Sequence, residues 1–235
     1  MSFSPDESAS SLFKRSRVGG SVFTWDLITA DRSIRKELFH FNEVVQIYAH
    51  PKDIQETQLD LLLSFLQGMG QLNALVVHVS TGNSLVSTLV QSGETENACI
   101  SDMNRRGRLK CVSVNSLLQL YAVLDILQYS LDEDVINKRE ETEVPPVYTL
   151  LLLDHLEPIL GVPYEATTQE SSPNEVNLTD LLCKIHELVD TQVVLCFWIR
   201  STHMLNAGCG VAAPHPTTVM EGHRAFTYYP RSDIL

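Results

Sequence analysis

The sequence has no Cys-x-x-Cys pair, no apolar run of bilayer length and no surplus of positive charge. Its five cysteines, at 99, 111, 183, 196 and 209, stand mostly in apolar contexts. That is how reduced core cysteines sit, and it speaks against a zinc ribbon or a disulfide framework. A membrane-spanning helix needs about 20 consecutive apolar residues, and the runs here are shorter. Seventeen Lys and Arg face 29 Asp and Glu, and the formal net charge of −12 excludes nucleic-acid binding over the whole surface. A local basic patch is still open. No Gly-x-Ser-x-Gly elbow, paired catalytic carboxylates or internal repeat is found. Asn177-Leu-Thr179 matches a glycosylation sequon, but no signal peptide precedes it. The expectation is a soluble, intracellular protein without disulfides, membrane contact, metal or cofactor.

What the sequence does have is Val147-Tyr-Thr-Leu-Leu-Leu-Leu-Asp154, entered from Pro145-Pro146 and left through His155-Leu-Glu-Pro158. A short apolar run between prolines predicts a strand buried on both faces, as in a parallel sheet covered by helices. Asp154 falls where the chain leaves the strand's C-terminal edge, where open α/β sheets bind ligands.

Residues 1–21, rich in Ser, Asp and Glu, are expected to be a disordered tail, with Lys14, Arg15 and Arg17 as a basic run. Residues 22–70 are read as a helical and extended segment packed on the core. There Val22–Trp25 and Val44–Tyr48 flank a short helix capped by Asp31 or Ser33, and a second helix covers Pro51 to Met69. From 71 to 235 strands and helices alternate, so the fold class is α/β: a mostly parallel sheet flanked by helices. Strands are predicted at 74–79, 98–102, 110–114, 147–154, 192–198 and 224–229. Helices are predicted at 85–91, at 116–129, and from a cap near Asn177 or Thr179 to Val189. Asp132 to Glu143 and Pro163 to Asn174 read as loops.

Gly82-Asn83-Ser84 follows the 74–79 strand, the place of Gly-Lys-[Ser/Thr] in a phosphate-binding loop. Asparagine replaces the lysine, and the wrapping residues before Gly82 are strand. A plain strand-to-helix turn capped by Ser80 or Thr81 is the competing reading. Arg105, Arg106, Arg108 and Lys110 form the one dense basic patch, read either as a phosphate contact or as a solvated turn. His203, Cys209, His215 and His223 share a loop-rich segment, but structural zinc favours tighter paired spacing. Trp25, Trp198, Tyr228 and Tyr229 are candidates to stack on bases, with core or interface packing as the alternative.

Three stretches carry a family resemblance: Cys99-Ile-Ser-Asp102-Met-Asn104 with Arg108-Leu109, Leu150-Leu-Leu-Leu-Asp154-His-Leu156, and Gln192-Val-Val-Leu-Cys-Phe-Trp-Ile-Arg200. In that order they resemble the RecA family, and more closely the small recombinase paralogues of eukaryotic homologous recombination found in Shu-type complexes. The resemblance covers roughly residues 70 to 230. It implies a RecA-like fold with Asp154 as the magnesium-side carboxylate, and Gly82, Asn83, Ser84 and Asp154 as a vestigial nucleotide site. Asn104 stands where the family's catalytic glutamate would activate water, and an amide accepts no proton. The resemblance therefore implies a non-enzyme: a nuclear recombination mediator that pairs with another paralogue and a SWIM-domain-type partner. In that role it assists recombinase filaments on single-stranded DNA, with Arg105, Arg106, Arg108 and Lys110 as DNA contacts. A RecA-like scaffold subunit of an Elongator-type assembly and a weak DNA-dependent ATPase are the alternatives.

Overall fold

The computed structural model describes residues 22–28, 33–69, 74–82, 98–137, 147–160, 173–191, 194–201 and 223–227. In chain order its elements are β1 (Val22–Ile28), β2 (Ile34–His40), β3 (Val44–Ala49), α1 (Ile54–Met69), β4 (Ala74–Ser80), α2 (Ala98–Arg105), β5 (Leu109–Ser113), α3 (Leu117–Asn137), β6 (Tyr148–Asp154), α4 (Glu157–Leu160), α5 (Pro173–Thr191), β7 (Val194–Ser201) and β8 (His223–Thr227). A single 3-10 turn, Pro51–Asp53, leads into α1.

Six strands form one sheet in the order β5-β4-β6-β7-β3-β8, and every pairing in it is parallel. The α/β class with a RecA-like parallel sheet between helices is thus the observed architecture. Each connection's direction fixes the face that its helix covers. From β3 to β4 and on to β5 the chain moves toward one edge; from β5 to β6, β7 and β8 it moves back. Right-handed crossovers then require the first helices on one face and the later ones on the other. Packing follows that rule: Leu61, Leu62, Phe65 and Leu66 of α1 join Ile100 and Met103 of α2 in one core cluster. Leu120, Leu124 and Leu127 of α3 join Leu181, Ile185 and Leu188 of α5 in the other.

The apolar run of β6 supplies both clusters by alternation. Leu150 and Leu152 point to the α1 side, and Leu151 and Leu153 to the α3 side. A strand this deep needs no polar face, which is why its sequence reads as an unbroken leucine run.

Several expectations are corrected. The segment predicted as a short helix capped by Asp31 or Ser33 is strand β2, antiparallel to β1. From Lys36 onward its period is two: Glu37 and Phe39 are buried, while Lys36, Leu38 and His40 are exposed, as are Ile34 and Arg35 at its start. The sheet does not begin at β4, because β3 lies inside it between β7 and β8. Residues 22–70 therefore contribute a core strand and helix, and the β1–β2 ribbon is the part laid on top. The predicted strand at 98–102 is helix α2, whose Ile100 and Met103 bury one helical face. Helix α3 continues to Asn137, into the acidic stretch read as a loop, and α5 starts at Pro173, ahead of the expected cap. Proline suits a first helical turn because its missing N–H has no intrahelical partner there. The expected tail 1–21, the helix at 85–91 and residues 202–222 lie outside the described residues.

Candidate functional site at the carboxyl edge of the sheet

Between β4 and β6 the outgoing connections diverge, β4 toward β5 and β6 toward β7. Such a divergence opens a crevice beyond the strands' carboxyl ends, the usual ligand position in open α/β sheets. Ser80 and Asp154 pair across the ladder at that point. His155 follows with φ 51°, a left-handed conformation that turns the chain sharply out of β6. The Thr81 hydroxyl donates to the His155 carbonyl, tying the two exits together. The Ser80 hydroxyl donates to the Gly82 carbonyl at 2.7 Å, and Val114 N–H donates to the Ser80 carbonyl at 2.8 Å.

Alternation places Asp154 on the α1 side, with His78 of β4 on the same side. Both are buried, and His78 Nε2 lies 3.9 Å from Asp154 Oδ2. Gln58, buried in the second turn of α1, hydrogen-bonds the Asp154 carboxylate from above. Burial pushes the Asp154 carboxyl up to about 6, opposed most by the Gln58 side chain. Burial likewise brings the His78 imidazole down to about 4. On the opposite side of the sheet, Arg200 lies 3.6 Å from Glu157, and its guanidinium sits over the Trp198 ring at 5.1 Å and the Tyr48 ring at 5.8 Å.

The site therefore assembles differently from the sequence reading. Gly82 and Asp154 do share one edge, while Asn83 and Ser84 lie outside the described residues. A phosphate loop belongs between a sheet's first strand and the next helix, and that unit is β3–α1, not β4. The β3–α1 connection is His50-Pro51-Lys52-Asp53, with no glycine. The His50 side chain caps the turn by accepting from Lys52 N–H at 3.4 Å. Four residues without glycine cannot curl backbone amides around an anion. Asn104, expected in the place of a catalytic glutamate, is exposed on α2, where its carbonyl accepts from Gly107 N–H at 2.9 Å. The residue paired with Asp154 is Ser80.

The basic cluster is also moved. Arg105 ends α2, Arg106 pairs with Asp102 at 2.7 Å, and Gly107 closes the helix with φ 67°. Arg108 then precedes β5, and Lys110 is exposed on it. Leu109 pairs at the level of Val76, four residues before the Ser80–Asp154 level. The cluster thus sits at the amino edge of the sheet, about 13 Å along the strands from Asp154.

Trp25 and Trp198 are buried, the first donating to Asp60 at 2.9 Å, so neither indole is open to a base. Tyr228 and Tyr229 lie outside the described residues, as do His203, Cys209 and His215; of His223 only the β8 backbone is described. Among the described residues no group of three or more His, Cys, Asp and Glu side chains is placed to hold a metal. Nor is any described helix long and apolar enough to cross a membrane. Sequence reasoning missed His78, Gln58, Glu157 and Arg200. The available signal for His78 was a single titratable residue inside the apolar run Leu75-Val-Val-His-Val79. Against known proteins the chain matches no family model and no curated sequence.

Proposed function

We propose that this chain is a non-catalytic RecA-like subunit of a hetero-oligomeric recombination mediator. In this reading it acts in the nucleus, beside another recombinase paralogue and a SWIM-domain-type partner, on recombinase filaments forming on single-stranded DNA. The observation that carries the non-catalytic half is the β3–α1 connection. It has no glycine, and the Asp154 carboxylate lies buried beneath Gln58. The recombination half rests on the resemblance of the two motifs that lie on strands, at β6 and β7, because the first lies on helix α2.

The test has two arms. Isothermal titration of the purified chain with Mg-ATP is expected to give no binding at micromolar concentration and no turnover. Micromolar affinity with magnesium-dependent hydrolysis, lost in Asp154→Ala, would overturn the non-catalytic reading. Affinity capture from cells, read by mass spectrometry, is expected to return recombination proteins. Co-expression with a captured partner should rescue a chain that aggregates alone. Capture of Elongator-type subunits instead would favour the scaffold reading.

A further inference from the structure

A helix on the surface of an α/β domain normally buries one stripe and shows water a polar back. Helix α3 departs from this. Its inward residues Leu120, Leu124, Leu127 and Leu131 are buried against the sheet. Half a turn around, Leu118, Ile126 and Tyr129 are 79%, 65% and 64% exposed. With Ala122 they follow spacings of four, four and three, one continuous row on the helix back. At 1.5 Å per residue the row is about 16 Å long, three turns of a docked helix. A helix that is apolar on both sides is normally covered, and helix-in-groove recognition uses rows of this spacing.

The charge around the row says what would cover it. By sequence α3 holds Asp125, Asp132, Glu133 and Asp134 and no Lys, Arg or His. Helix α5, packed beside it, holds Glu175, Asp180, Glu187 and Asp190 against Lys184 alone, with His186 neutral. The two helices carry eight acids and one lysine, −7 of the chain's −12. Lys184 is already engaged, 2.8 Å from Asp125 and 3.6 Å from Glu187. An open groove of about 480 Å³ runs between the helices, lined by Tyr121, Asp180, Cys183, Lys184 and Glu187. A second copy of this face would set Asp125, Asp180 and Glu187, all exposed, against their own counterparts, and an anionic lipid surface would be repelled in the same way.

We infer that the outer face of α3, with the α3–α5 groove, docks a partner's amphipathic helix whose apolar row is flanked by Lys and Arg. Leucine-sized anchors cover Leu118, Ile126 and Tyr129, and a flanking cation enters the groove toward Asp180 and Glu187. The inference rests on the hetero-oligomer reading only in requiring that a partner exist; the face is defined by α3 and α5 themselves.

The experiment uses the full chain and three synthetic 18-residue helical peptides. One has leucines in an i, i+4, i+7 row flanked by lysines, one has the same leucines flanked by glutamates, and one scrambles the first. Fluorescence anisotropy should show the leucine–lysine peptide binding at least tenfold more tightly than the other two. Hydrogen exchange should show protection centred on residues 117–132. The double variant Leu118→Gln/Ile126→Gln should bind at least tenfold more weakly with its thermal unfolding unchanged, since both side chains are exposed. Equal binding of the scrambled peptide, unchanged affinity in the double variant, or protection elsewhere would overturn the inference. So would concentration-dependent dimerisation of the chain abolished by the same double variant, which would assign the face to a second copy. None of these readouts depends on ATP or on recombination proteins, so the two proposals stand or fall separately.

Discussion

Asp154 and His78 sit within 4 Å of each other, and burial shifts them in opposite directions. For Asp154 the folded value of about 6 exceeds the ordinary 3.8, so the folded state holds the proton more tightly. Its contribution is lost as pH rises from about 4 to 6, by about 3 kcal/mol at most. For His78 the folded value of about 4 lies below the ordinary 6.5, so the unfolded state binds the proton first. Its contribution is lost as pH falls from 6.5 to 4, again by about 3 kcal/mol at most. In the native chain the two slopes oppose each other and largely cancel between pH 4 and 6. Urea unfolding across that window should therefore separate them. Asp154→Asn is expected to be stabilised relative to wild type at pH 7 and to lose stability as pH falls toward 4. His78→Gln is expected to lose stability as pH rises toward 6. Parallel pH profiles for both variants and wild type would mean that neither group is held in the state described.

At the scale of elements, the β1–β2 ribbon shows how little a two-stranded sheet does by itself, since an isolated hairpin is only marginally stable in water. Here the ribbon is fixed by rings: Phe23 lies 5.6 Å from Phe65 of α1, 6.1 Å from Phe39 and 6.2 Å from Phe197 of β7. Phe23→Ala removes the ring at the centre of this packing from a fully buried site, with an expected cost of about 3–5 kcal/mol in chemical denaturation. Helix α3 offers an internal comparison. Leu124→Ala, inward and fully buried, should cost about 2–5 kcal/mol. Leu118→Gln, outward and 79% exposed, should change stability by no more than about 0.5 kcal/mol. Equal losses at the two positions would contradict the outward orientation of the row.

Across the whole molecule, the parallel sheet holds two candidate sites at opposite edges. Asp154 and Gly82 occupy the carboxyl edge, and Arg105, Arg106, Arg108 and Lys110 the amino edge. If single-stranded DNA meets the assembled complex through this cluster, it does so away from Asp154 and the carboxyl edge. Charge screening over roughly 8 Å at physiological salt lets such a cluster act alone on a chain of net −12. Replacing Arg105, Arg106 and Arg108 together by Ala should weaken single-strand binding by the complex. It should also flatten the salt dependence by about 0.7 log unit for each phosphate that the cluster no longer neutralises. Folding should be little affected, because the Arg106–Asp102 pair is half exposed and such pairs contribute about 0–1 kcal/mol. An unchanged salt slope would move the DNA-binding surface to the partner or to Lys14, Arg15 and Arg17.

The sequence by itself determined β6, the α/β class and the position of Asp154 at a strand's end. An unbroken apolar run between prolines can be satisfied only by burial on both faces, and alternating strand and helix patterns leave few architectures. It determined α1 as well, through leucines at helical spacing. The sequence did not determine which strand stands where. Val44–Ala49 looks like any short apolar stretch, and only its pairing with β7 and β8 makes it a central strand. Residues 98–102 read as a strand in the sequence, but a window of five residues is too short for period alone to decide. Tertiary packing decided it, by burying Ile100 and Met103 on one helical face. The site followed the same rule. His78 is 20 residues from Gln58 in the chain, and Asp154 is 96 from it. The three meet only because β4 and β6 pair while α1 crosses above them.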